Sequence, residues 1–373
     1  MKKLLHFQYN IIFKNYSGSD ICISLDKNET IENLIKIYFK RNEKQNLITN
    51  NFEKTYFIYN GILLKYKNNK NTLNQYFKIN LNPFIRVCRL DYNSSSKDIE
   101  FIEKIKDNVY TYVYKAKYKG KLVAIKNIKK EQLKEDLKES LCVEDISDED
   151  FLNEIIKFNR ELENMQLCHC KNSVEIYNYF DLEKEFVIIM ELCDDTLFRE
   201  LAKTKNGFSV GQIKNILFQL NNVFKLMNRY NIAHRDIKLN NILVKYLDEN
   251  KKQFYVLLSD YGVSNQLNSM TDRYKTNAGT KIIKAPEILK AQKYNNKCDL
   301  WSLGVNIYQL YTKKPPFTGS YEMHILNDIE EKGKTVLNNI KDQKLYDLLS
   351  KLLEKDPNKR ISWEVYFEHE FFK

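Results

Sequence analysis

Short motifs in a fixed order constrain this chain more than anything else it contains. They are Val123-Ala124-Ile125-Lys126, His234-Arg235-Asp236-Ile237-Lys238-Leu239-Asn240-Asn241, Asp260-Tyr261-Gly262, Ala285-Pro286-Glu287 and Asp299-Leu300-Trp301-Ser302-Leu303-Gly304. Each is a weak signal alone, and their order and context make a strong one. Lys126 closes an apolar strand, where its ammonium requires a path to water or an anionic partner. Asp236 and Lys238 set a carboxylate beside a cation, and Asn241 and Asp260 carry the hard oxygen atoms that Mg²⁺ prefers. The flanking patterns differ on either side. Val109 to Tyr118 and Leu122 to Ile128 read as paired strands about a turn at Lys119-Gly120, whereas helical periodicity dominates from about residue 210 onward. The spacing predicts an α+β chain in which a small β-rich lobe precedes a larger helical lobe, with a cleft between them as the natural place for a ligand.

At 373 residues the chain exceeds one typical domain, and two is the expectation. The polar segment Asp91-Tyr-Asn-Ser-Ser-Ser-Lys-Asp98 has the composition of a loop, so the boundary is placed there. Residues 1–91 form one domain, 92–100 a linker and 101–373 the second domain. In the first, Asp20 to Leu25 alternates as a strand, Thr30 caps a helix with Ile31, Leu34, Ile35 and Tyr38 on one face, and Tyr56 to Tyr59 turns at Asn60-Gly61. A last strand runs from Phe84 to Leu90. The order is that of a β-grasp, and DKNETIENLIKIYFKR, YFIYNGILL and KNTLNQYFKI resemble ubiquitin over residues 7 to 90. No Gly-Gly tail ends it, so the resemblance is to a built-in ubiquitin-like module, which implies a binding partner for that module.

Composition narrows the class. No apolar run approaches the roughly 20 residues that span a bilayer, so no membrane partner is expected. His6, Gln8 and Asn10 interrupt the basic, apolar start, which reads as a strand and not as a signal peptide. Seven scattered Cys fit a reducing compartment, and the expected location is cytoplasmic, with the nucleus also open. Cys168-His169-Cys170 has no second cluster at zinc spacing. The net charge of +11 follows from Lys-rich residue usage along the whole chain, and no nucleic-acid-binding motif accompanies it.

Over residues 101 to 372 the motifs resemble those of eukaryotic-type protein kinases. The resemblance implies a bilobal kinase fold, small β-rich N-lobe and large helical C-lobe, preceded here by the β-grasp domain. It implies ATP and Mg²⁺ as cofactors and proteins as substrates. By the same resemblance Lys126 meets the α- and β-phosphates and pairs with Glu161, chosen over Glu154 and Glu163 for its spacing to a strand expected from Ser173 to Tyr177. Met165 would then join Ile176, Tyr261 and His234 in an apolar column. Asp236 is the base toward the substrate hydroxyl, and Lys238 neutralises the transferring phosphate, as in serine/threonine kinases. Asn241 and Asp260 hold metal. Met190 is the gatekeeper, Glu191 and Cys193 form the hinge that holds adenine, and Val113, Ala124 and Leu243 sandwich the ring. Glu287 is expected to pair with Arg360 architecturally.

The nucleotide loop departs from the family. Lys106, Asn108 and Thr111 stand where the glycines of G-x-G-x-x-G belong, and a Cβ there hinders backbone approach to phosphates. A pseudokinase scaffold is therefore the alternative, opposed by the joint presence of Lys126, Glu161, Asp236, Asn241 and Asp260. The resemblance also implies regulation: Arg235 needs an anion, and phosphorylation of Thr276 would supply it.

Overall fold

The computed structural model describes residues 8–14, 21–26, 28–44, 55–59, 62–63, 72–73, 84–89, 99–108, 111–141, 144–145, 147, 158, 160–182, 184–250, 253–261, 265–266 and 281–373. The chain divides into two compact units, residues 1–159 with 177–190, and residues 160–176 with 191–373.

The first unit holds two sheets. The N-terminal one comprises β1 (Gln8–Lys14), β2 (Ile21–Asp26), β3 (Thr55–Tyr59), β4 (Ile62–Leu63) and β5 (Phe84–Arg89), in the order β2-β1-β5-β3-β4. β1 and β5 are parallel and the other pairs antiparallel. Helix α1 (Ile31–Lys44) follows β2. Thr30 Oγ1 accepts the Asn33 N–H at 3.2 Å, the cap expected from its position. Ile31, Leu34, Ile35 and Tyr38 are fully buried with Ile11 and Phe13 of β1, and the Phe13 and Tyr38 rings stack at 4.3 Å. The amphipathic stripe of α1 thus closes one face of the sheet. Asn60 and Gly61 lie outside the described residues.

The second sheet comprises β6 (Ile99–Asp107), β7 (Thr111–Tyr118), β8 (Lys121–Lys129), β9 (Ile176–Asp181) and β10 (Glu185–Glu191), in the order β6-β7-β8-β10-β9. β7 and β8 join through Lys119 (φ 48°) and Gly120 (φ 77°), with Tyr118 opposite Lys121. Two successive positive φ values make the tight turn whose twist suits a hairpin. Alternate residues then divide between faces. Ala116, Val123 and Ile125 pack with Phe180, Val187 and Ile189 as a core, while Val113 stands opposite Lys126, with Ala124 two residues away on the same strand face. Helix α2 (Lys130–Leu141) follows β8.

The second unit opens with helix α3 (residues 160–167). The strand expected at Ser173 to Tyr177 instead begins at Ile176 as β9. Ser173 forms only an isolated bridge to Leu258, and Val174 donates its N–H to the Leu258 carbonyl. The apolar alternation of 174 and 176 is satisfied there by one crossing contact without a ladder. β11 (Asp195–Thr196), β13 (Ile242–Tyr246) and β14 (Phe254–Leu258) form a small sheet, and β12 (Ile232–Ala233) pairs with β15 (Asn265–Gln266). The helices are α4 (Leu197–Lys203), α5 (Val210–Arg229), α6 (Pro286–Leu289), α7 (Lys297–Thr312), α8 (Glu322–Lys332), α9 (Gln343–Leu352) and α10 (Trp363–Phe367). Ser209 and Gln212 cap α5 reciprocally. α7 is buried on all sides from Cys298 to Tyr308, with α5 and α9 among the elements packed against it.

Candidate active site

The loop between β12 and β13 carries Asp236, and its shape is imposed from below. The Asp299 carboxylate, fully buried at the start of α7, accepts the backbone N–H of His234 at 2.7 Å and of Arg235 at 2.8 Å. That hold accompanies a left-handed backbone at Arg235 (φ 66°), a conformation that costs a non-glycine residue. Burial pushes the Asp299 carboxyl up to about 6, against the pull of the two N–H groups. His234 is also fully buried, and burial holds its pKa below the ordinary value. The neutral ring suits its contacts: Nδ1 accepts the Asp236 N–H at 3.3 Å and Nε2 lies 3.1 Å from the Ser259 carbonyl, to which it donates.

Asp236 is the centre of the cluster. Its Oδ2 lies 2.6 Å from Lys238 Nζ and accepts Asn241 Nδ2 at 2.9 Å. Asn241 Nδ2 also donates to the Asp236 carbonyl at 3.0 Å. The amide nitrogen is thereby committed to Asp236, which leaves Oδ1 as the atom available to a cation. Ser259 joins the two oxygen-bearing residues, because its N–H and hydroxyl both donate to the Asn241 carbonyl, at 2.9 and 3.0 Å, and Asp260 follows at once. Asp260 has φ 65°, a second left-handed residue. This donor set, a carboxylate and a carboxamide oxygen, fits a hard divalent ion.

The remaining expected residues are placed as follows. Val113, Ala124 and Lys126 share one face of the first unit's sheet, with Ala124 buried and Lys126 half-buried. Met190 is half-buried in β10. In the second unit, the Glu191 N–H donates to the Glu175 carbonyl at 2.8 Å and its carboxylate meets Lys245 Nζ at 2.5 Å, a bond that raises the Lys245 pKa. Burial pushes the Cys193 thiol up to about 12, which keeps it protonated. Leu243 lies in β13, and Glu161 is 4% exposed on α3. In the first unit, Lys106 stands opposite Val113, and Asn108 N–H donates to the Thr111 carbonyl at 3.0 Å. Gly262 and Thr276 lie outside the described residues.

The protein kinase domain family matches residues 99–372. The chain belongs to the protein kinase family. Among curated proteins it is similar to serine/threonine-protein kinase ppk11 of Schizosaccharomyces pombe, with 34% identity over 209 residues, 54% of this chain and 64% of that protein. It is also similar to serine/threonine-protein kinase TIO of Arabidopsis thaliana, 29% identical over 281 residues, 74% of this chain and 19% of the relative. For serine/threonine-protein kinase 33 of Bos taurus the identity is 28% over 221 residues, 57% of this chain and 45% of the relative. The chain thus spans less than two thirds of the length of each of these relatives.

Three features of the kinase domain had no local sign in the sequence. Arg235 was expected to require an anion that the unmodified chain lacks. The buried Asp299 carboxyl, raised by burial, feels a lesser opposing pull from the Arg235 charge, and Arg235 Nη1 donates to the Tyr294 hydroxyl at 3.3 Å. Tyr261, aromatic against His234 at 4.7 Å, turns its hydroxyl toward the Cys168 thiol. Burial raises both groups, Cys168 to about 12. Ser259, the link between Asn241 and Asp260, belongs to no motif.

Proposed function

We propose that this chain is a serine/threonine protein kinase that transfers the γ-phosphate of ATP to protein hydroxyls. The observation that carries the reading is the Asp236 cluster. One carboxylate is held by a lysine and by an asparagine whose own oxygen remains for a cation. Asp236 accepts the hydroxyl proton, and Lys238 offsets charge on the transferring phosphoryl group. Asn241 and Asp260 would hold Mg²⁺, which would supply positive charge to offset the charge developing on the transferring phosphoryl group. Lys126 meets the α- and β-phosphates with Glu161 as its partner, Val113, Ala124 and Leu243 enclose adenine, and backbone groups at Glu191 and Cys193 hold its edge beside Met190.

The experiment is phosphotransfer from ATP to a Ser/Thr peptide library with and without Mg²⁺, in wild type and Lys126→Met. Methionine keeps the packing of the lysine stem and removes the charge. Turnover is expected to fall by at least about 100-fold with the thermal midpoint unchanged. A variant with most of its turnover would remove Lys126 from the phosphate site. The scaffold reading is favoured by one feature, the side chains of Lys106, Asn108 and Thr111 in the nucleotide loop. It predicts no Mg²⁺-dependent transfer at all.

Regulation and the N-terminal module complete the proposal. Phosphorylation of Thr276 adds roughly 1.5 to 2 negative charges for Arg235 to meet. Phosphatase treatment is expected to lower turnover several-fold in wild type and to leave Thr276→Ala unchanged. If Thr276→Ala purifies with full, phosphatase-sensitive turnover, the switch lies elsewhere. The N-terminal domain is a ubiquitin-like β-grasp with its own partner, supported by the parallel β1–β5 pair at the middle of its sheet and by the buried stripe of α1. The setting is cytoplasmic.

A further inference from the structure

We propose that Asn306 is a positioning residue for the Asp236–Lys238 pair, acting through the carbonyl of Ile237; this rests on the kinase reading above. A helix enclosed on all sides is expected to be apolar throughout. α7 breaks that rule at Asp299, Ser302 and Asn306, all buried and spaced so that they form one stripe along the helix. A buried polar group is tolerated only when bonded, so each residue of the stripe answers to a backbone group. Asp299 takes the N–H groups of His234 and Arg235. Ser302 Oγ donates to the Ile283 carbonyl at 2.8 Å. Asn306 Nδ2 donates to the Ile237 carbonyl at 2.7 Å and to the Ser302 carbonyl at 2.6 Å.

Asp236 therefore sits between two anchored peptide units. The Arg235 N–H before it is tied to Asp299, and the Ile237 carbonyl after it is tied to Asn306. Lys238 starts from that second peptide unit, and its Nζ returns to Asp236 Oδ2 at 2.6 Å. Loss of the Asn306 bond would orphan a buried carbonyl and let the exit of the loop turn while its entry stays fixed. The helix itself cannot shift to compensate. On its opposite face Gly304 lies against α9, where a Cβ would come within 2.9 Å of Leu352 Cβ, so the spacing there is already minimal.

The test uses the full chain and two substitutions in α7. Asn306→Leu keeps the branched shape and the number of side-chain heavy atoms and removes both donors. Leu303→Ala opens a cavity in the same helix at a residue 1% exposed whose side chain offers the loop no hydrogen bond, so it reports the effect of destabilisation. With ATP, Mg²⁺ and a Ser/Thr peptide library, Asn306→Leu is expected to lower kcat by about 10- to 100-fold with KM for both substrates within about twofold. Leu303→Ala is expected to lower the thermal midpoint and keep kcat. Amide exchange at His234 to Asn241 is expected to accelerate in Asn306→Leu beyond Leu303→Ala. Wild-type kcat in Asn306→Leu, or an equal loss in both variants, overturns the proposal. If wild type itself transfers no phosphate, the kinase reading falls and the exchange measurement alone decides, equal exchange in the two variants overturning the role of Asn306.

Discussion

Replacing Asp236 by asparagine is expected to lower phosphotransfer by about 10²- to 10⁴-fold and to leave KM for ATP and peptide within about twofold of wild type. The split follows from what the side chain touches. Its Oδ2 accepts Lys238 Nζ and Asn241 Nδ2, and the amide oxygen of asparagine can take both bonds in the same place. The backbone of residue 236 is fixed independently, by His234 Nδ1 on its N–H and by Asn241 Nδ2 on its carbonyl. What the substitution removes is the basic carboxylate lone pair that, in the proposed mechanism, takes a proton from the attacking hydroxyl. Ground-state binding is untouched, so the loss appears in kcat. A variant that kept more than a tenth of wild-type turnover would show that proton removal at Asp236 is not part of the rate-limiting chemistry.

The residues of this cluster were legible in the sequence because the chemistry is local. His234 to Asn241 places a carboxylate, a lysine and a carboxamide that the fold brings together within eight consecutive residues, and Asp260 follows in order. The β7–β8 hairpin was legible for a similar reason, since Lys119-Gly120 interrupts two alternating runs and the alternation decides which face Lys126 shares with Val113. Contacts that hold the cluster were not legible. Asp299 reaches back to His234 and Arg235, Tyr294 to the Arg235 guanidinium, and Ser259 to the Asn241 carbonyl. Each joins positions far apart in sequence through a single backbone or side-chain atom, and hydrophobic periodicity carries no record of such pairs. The strand misplaced at Ser173 shows the opposite limit. Val174 and Ile176 alternate as a strand would, yet residue 174 is buried by one bridge to Leu258 and the ladder starts two residues later.

The buried ion pair between Glu287 and Arg360 is expected to produce the largest change in stability of any single truncation in the second unit. Arg360 is enclosed almost completely. Its Nη1 and Nη2 meet the two Glu287 oxygens at 2.6 and 2.9 Å, Nε donates to the Glu354 carbonyl at 2.9 Å, Nη1 also donates to the Lys297 carbonyl at 3.0 Å, and the guanidinium lies 5.3 Å from the Trp301 ring centroid. It therefore ties α6, α7 and the chain after α9 with one planar group. Such a fork cannot be reproduced by lysine, which offers a point charge without the paired geometry. Arg360→Leu leaves a carboxylate only 2% exposed without its cation, and breaking a buried pair from one side costs about 3–5 kcal/mol. For a unit of this size that is a fall of roughly 6–20 °C in the thermal midpoint. The double variant Glu287→Leu with Arg360→Leu removes both charges together, so it is expected to recover most of the loss, because replacing a buried pair by apolar groups is often nearly neutral. Thermal denaturation of the wild type, both single variants and the double variant measures the coupling. If the double variant is as unstable as Arg360→Leu, the cost comes from the lost backbone bonds to Glu354 and Lys297, and the ion pair is incidental to the fold.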